Sequence, residues 1–258
     1  AHLPCKGLKG AVRMKPSQTR AQKWTRVIYT LVLLSFILPV GYLIYRLIFW
    51  DEAAAQALER TRADYALMLL QCLLGIVVIH LPTFLTRRFR FELPAALYIM
   101  YILFLYGAIF LGEVRSFYYM VPHWDVFLHA FSSLMAGSFG FMVVALLNRN
   151  ERVPIHLSPF FVALFAFCFA VTIGAVWEIY EFSFDGLLGL NMQKFMTGDG
   201  EVLVGRAALT DTMKDIIVDC LGALTASVAG YISLKNGRGW ASDMIAQHSQ
   251  KRDQKDAK

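Results

Sequence analysis

Asp125 and His129 stand four residues apart, Glu178 and Glu181 three apart with Asp185 beyond, and Asp211, Asp215 and Asp219 follow one another at steps of four. Residues at these spacings share one face of an α-helix, so each set forms a stripe of carboxylates, with one imidazole among them. Such groups hold a divalent cation, move protons, or combine the two in metal-assisted hydrolysis. Oxygen ligands with a single imidazole suit Mg²⁺, Mn²⁺, Ca²⁺ or Zn²⁺ better than a soft metal. Like charges this close cannot all ionise without something positive among them. Lys214, a divalent cation, or protons kept on some of the carboxyls each meet that need.

The elements that must position these residues are membrane spans. Of the 258 residues 57% are hydrophobic and only 17% charged, and the mean hydropathy is +0.50, which argues against a water-soluble domain. Six windows of about 20 residues are long and apolar enough to cross a bilayer as helices: 27–50, 65–86, 94–112, 125–148, 158–181 and 209–234. The expected fold is an all-α polytopic bundle of six transmembrane helices over 27–234. A basic tail (1–26) and a polar tail (235–258), frayed or disordered from Ser242, flank it. Pro94, Pro122, Pro154 and Pro159 mark span edges, whereas Pro39 and Pro82 fall inside spans as kinks. The segments on one side of the spans carry 18 Lys and Arg residues against 5 on the other. That bias predicts that both termini are cytoplasmic.

The same topology puts all three acidic stripes in the outer half of the membrane. Each runs inward into small residues: His129 to Ser133, Gly137 and Gly140; Glu178 to Gly174, Ala170 and Ala166; Asp219 to Gly222, Ala226 and Gly230. Small residues let membrane helices approach closely. The pattern predicts a tight three-helix contact in the inner half, opening outward into a polar pocket.

Blander roles compete at some of these positions. Asp125 and Asp211 could be helix N-caps, Glu181 and Asp185 could face water at the interface, and His129 could be a packed histidine. Capping does not explain Glu178, Asp215 or Asp219, the last about ten residues and roughly 15 Å into its helix. Arg46, His80, Glu113 and the run Arg87, Arg88, Arg90 suit interface anchoring or packing.

Other classes are disfavoured. The net charge of +6 and pI near 9.2 come from basic residues flanking apolar windows, which points to anionic lipid rather than nucleic acid. Cys5, Cys72, Cys168 and Cys220 include no CxxC pair, so neither a disulfide framework nor a cysteine zinc site is expected. The first apolar run, followed by Ala53 to Ala55, imitates a cleavable signal, but it is longer than a signal core. Residue 1 is Ala, and Met14 followed by Lys15 and Pro16 would make a start.

The segments Trp124 to His129, Trp177-Glu178-Ile179-Tyr180-Glu181, and Asp211 to Asp215 with Asp219 to Ala223 resemble the YjdF-like bacterial inner-membrane proteins, with a weaker similarity to VanZ-like proteins. The resemblance covers about 114–231 and implies a bacterial inner-membrane location. It brings no assigned reaction.

The leading expectation is a metal-dependent enzyme acting on a lipid-linked or headgroup phosphate at the outer leaflet. Asp125, His129, Glu178, Glu181, Asp211 and Asp215 are candidate ligands of a divalent cation, and His129, Asp215 and Glu178 candidate catalytic groups. Asp219 would orient a ligand one turn above it, and Lys214 or Arg115 would clamp the anion. Asp125, His129, Glu178 and Asp215 are expected to act as one unit, with Asp185 peripheral. The alternatives are a proton- or cation-coupled transporter and a ligand-binding scaffold with a structural ion. The expected partners are the bilayer and a lipid or lipid phosphate.

Overall fold

The computed structural model describes residues 20–50, 62–89, 93–147, 157–197 and 200–243. The expected frayed end beyond 243, most of the basic N-terminal tail with Cys5, Arg90, and the Arg149 to Arg152 turn lie outside the described residues. The described helices are α1 (Arg20–Ile48), α2 (Arg62–Val78), α3 (Leu81–Phe89), α4 (Ala95–Leu105), α5 (Phe117–Met120), α6 (Trp124–Leu147), α7 (Pro159–Leu188) and α8 (Thr210–Lys235). A π-helical stretch, Tyr106–Val114, continues α4. Six helical segments are long and apolar enough to span a membrane, and no strand occurs among the described residues beyond an isolated bridge, Met196 to Val202.

Pro82 does more than kink the second span. The helix stops at Val78 and resumes at Leu81, because proline has no N–H for the carbonyl four residues back. That carbonyl belongs to Val78, and the Tyr101 hydroxyl donates to it at 2.7 Å. Polar backbone freed inside a membrane must find such a partner. His80, in the gap, bonds the Ile76 carbonyl through Nδ1 at 2.7 Å and the Tyr29 hydroxyl through Nε2 at 2.8 Å. Both are packing contacts, away from the acidic stripes. α1 runs unbroken through Pro39.

Helices α6, α7 and α8 pack mainly on one another, while α1 and α2 form a second group joined to them through α4 and the π-helical stretch. In the second group Val32, Phe36, Ile79, Ile102 and Leu105 make an ordinary apolar core. The trio is built differently. The buried faces of α7 and α8 carry mostly Ala, Gly, Ser, Asp and Glu, while Phe160, Ile173, Val176, Ile217, Leu221 and Leu224 point outward, and the largest buried apolar side chains of the trio, Phe141 and Met142, come from α6. With lipid as solvent, large apolar side chains gain nothing by facing inward, so close backbone packing decides the arrangement.

The glycines show how close that packing is. A Cβ on Gly140 would lie 2.8 Å from Ala166 Cα, and one on Gly137 would lie 2.7 Å from Ala226 Cβ. At Gly222 a side chain would run into Ser133, and at Gly230 into the Phe141 ring. The expected small-residue contact is therefore present on all three helices. α7 starts with Ser158 accepting from the Phe161 N–H at 3.3 Å and Pro159 in its first turn, and ends at Gly189, whose φ of 65° suits a left-handed cap. After α8 the chain turns back, and Ser233 Oγ accepts from the Ala241 and Ser242 N–H groups.

Candidate functional site

The polar stripes of α6, α7 and α8 meet at one end of the bundle, where α6 and α8 begin and α7 ends. His129 is their centre. Its Nδ1 lies 3.3 Å from Asp219 Oδ2, and its Nε2 lies 3.9 Å from Asp125 Oδ1. One nitrogen and one carboxylate oxygen each from His129, Asp125 and Asp215 fall within 4.8 Å of one another. His129, Asp215 and Asp219 are buried, as are Glu178, Glu181 and Asp185.

Asp219 reaches His129 because of Gly174. A side chain there would collide with the Asp219 carboxylate, so the glycine opens the notch in α7 that holds this acid. Its Oδ1 is buried with no hydrogen-bond partner, and so is Glu178 Oε1. Glu181 accepts from the Trp177 indole N–H at 2.9 Å.

The segment 190–197 closes this end. Asp185, in the last turn of α7, accepts the backbone N–H groups of Met192 at 2.7 Å and Gln193 at 3.0 Å. The Asn191 side chain holds Met196 through both its backbone N–H and its carbonyl, at 2.9 and 2.8 Å. So pinned, the loop delivers two side chains. Gln193 Nε2 donates to Thr212 Oγ1 at 2.9 Å and to Glu178 Oε2 at 3.4 Å. Lys194, at the left-handed φ of 48°, bridges α6 and α8 through Asp125 and Asp211, the latter at 3.1 Å. Burial alone would lower the Lys194 ammonium, but the Asp125 and Asp211 carboxylates outweigh it and hold its pKa above the ordinary lysine value.

Several expectations change in detail. Asp211 is not the N-cap of α8, a place taken by Leu209 without a side-chain bond. Asp125 lies one residue inside α6 and binds the loop lysine. Asp185 does not lie in water beyond its helix, because α7 runs on to Leu188 and the carboxylate is buried beneath the loop that it caps. Of the proposed ligands, only Asp125, His129 and Asp215 converge as one group. Lys214 and Arg115, the expected anion clamps, are both exposed. Lys214 sits about 100° around the helix from Asp215, which turns it off the acidic face.

Gln193, Lys194 and Tyr118 were not singled out from the sequence. Tyr118 packs against Gly112, and burial drives its phenol well above the usual value, helped by the charges of Glu113, Asp125 and Glu181. Lys194 left one usable signal. With Arg206 it is one of two basic residues in 182–208, the connection between two carboxylate-bearing spans that need a counter-charge.

The model of a family described as predicted membrane protein (DUF2238) matches residues 42–236. The chain belongs to that family. The matched region includes all three polar stripes and the loop between α7 and α8. A Thermotoga maritima protein described as uncharacterized is 32% identical over 130 residues, which is 50% of this chain and 57% of that protein. The chain thus spans little more than half of the length of this relative. No solved structure matches.

Proposed function

We propose that this DUF2238 member holds a divalent cation between Asp125, His129 and Asp215 and acts on a phosphate group of a lipid or lipid-linked substrate. One observation carries the reading. Asp219 Oδ2 lies 3.3 Å from Nδ1, and a proton held there leaves Nε2 as a lone-pair donor on the side of Asp125, whose Oδ1 is 3.9 Å away, with an Asp215 carboxylate oxygen in the same group. A carboxylate behind a histidine is the usual support for a metal ligand. A bound divalent ion would supply charge neutralisation at phosphate and a water acidified for attack. Lys194 stands beside this position. Its Nζ bonds Asp125 and both oxygens of Asp211, and with its side chain 39% exposed the ammonium puts positive charge where an anionic oxygen arrives from the open side.

The excess of Lys and Arg on one side of the spans supports cytoplasmic termini and a site facing the outer leaflet. The YjdF-like resemblance supports a bacterial inner membrane. Single-cysteine variants in intact cells check the orientation. An impermeant thiol reagent should label Phe195→Cys and not Asn150→Cys, and the reverse pattern would remove the outer-leaflet assignment.

The competing reading is a proton or cation path, favoured by Asp211, Asp215 and Asp219 on successive turns of α8. Metal analysis of the purified wild type beside Asp215→Asn separates the two. A stoichiometric hard cation lost in the variant is the expected result. Absence of bound cation after dialysis against Mg²⁺, Mn²⁺, Ca²⁺ and Zn²⁺ would overturn the metal reading in favour of protonated carboxyls.

A further inference from the structure

The ion position at Asp125, His129 and Asp215 leaves two carboxylate oxygens unexplained. Glu178 Oε1 and Asp219 Oδ1 are shielded from solvent and have no hydrogen-bond partner, and both residues are more than nine-tenths buried. Lone anionic oxygens in such surroundings are costly unless a proton or a cation meets them. The other oxygen of each is committed elsewhere: Glu178 Oε2 to Gln193 and Asp219 Oδ2 to His129.

The helices bring these two acids to one level. Glu178 lies ten residues before the end of α7 at Leu188, and Asp219 nine residues after the start of α8 at Thr210. At 1.5 Å per residue both are about 14 Å in from the loop end. Gly174, one turn inward of Glu178 on the same face, is where the Asp219 carboxylate rests against α7, so the two carboxylates are neighbours across the α7–α8 contact.

The charge balance also calls for more than one ion. With one divalent cation bound and His129 neutral as its ligand, the six carboxylates Asp125, Glu178, Glu181, Asp211, Asp215 and Asp219 exceed Lys194 and that cation by three charges. We propose that Glu178 and Asp219 form a second, deeper cation seat, separated from the first by the His129 imidazole. This deepens the metal reading above and rests on it for the class of cation, but it stands on different atoms. A hard divalent cation fits the all-oxygen donor set. Asp219 then serves both positions, orienting His129 with Oδ2 and meeting the inner cation with Oδ1.

The test is Mn²⁺ stoichiometry by equilibrium dialysis on the full chain in detergent, with a thermal melt of each variant to confirm folding. Wild type should bind two Mn²⁺ per chain. Glu178→Gln, which keeps the size and the bond to Gln193, should bind one, and Asp215→Asn should also bind one by losing the outer ion. Asp219→Asn should lose the inner ion and weaken the outer. A single Mn²⁺ in wild type that Glu178→Gln leaves in place would overturn the second seat and leave the outer site standing. Loss of one Mn²⁺ in Glu178→Gln with none lost in Asp215→Asn would do the opposite.

Discussion

Single replacement of His129, Asp125 or Asp215 by alanine is expected to remove binding of the outer cation as fully as replacing all three together. Groups that share one ion act as a unit, and their losses do not add. Loss of a partner behind a metal ligand already costs roughly 10- to 100-fold in affinity, so loss of a ligand itself should cost more than about 100-fold. Isothermal titration of each variant with Mn²⁺ checks this. Three modest losses that sum to the triple effect would instead assign these residues to independent structural roles. Glu178 lies outside this trio, unlike in the four-residue unit expected from the sequence, because its oxygens face Gln193 and the α7–α8 contact.

The helices and their inner packing were legible because both depend on local pattern. Twenty apolar residues make a span wherever they occur, and glycine or alanine every three or four residues on α6, α7 and α8 could only mean close approach of backbones. The Asp219 position followed from the same logic. Depth along α8 sets it below Asp211 and Asp215, and the structure places it against His129 through the notch at Gly174. What local pattern could not show was the loop. Residues 190–197 have no period, and their place depends on bonds to Asp185, Asn191 and Thr212. Among the counter-charges that the sequence offers, Lys214, a cation or protons, none is the loop lysine, which reaches Asp125 and Asp211 from a left-handed backbone position.

Asp185 anchors that loop. From sequence it is a water-facing residue past a helix end, and its removal should matter little. In the structure it accepts two backbone N–H groups that fix where Gln193 and Lys194 enter the site. Asp185→Ala strands both donors at about 1 to 3 kcal/mol each, so a destabilisation of about 2 to 6 kcal/mol is expected. Asp185→Asn keeps one accepting oxygen and should lose about half as much. The loop's other anchor is electrostatic. The Lys194 pKa is raised in the fold, so its contribution is fully present below the ordinary lysine range and is lost only as pH climbs past the raised value. At neutral pH, Asp185→Ala should therefore leave a loop tethered only through its side chains. Limited proteolysis of 190–208 should speed up, the thermal midpoint should fall by several degrees, and Lys194→Met added to Asp185→Ala should release the loop further. An Asp185→Ala protein with unchanged melting and a protected loop would return Asp185 to the peripheral role that the sequence suggested.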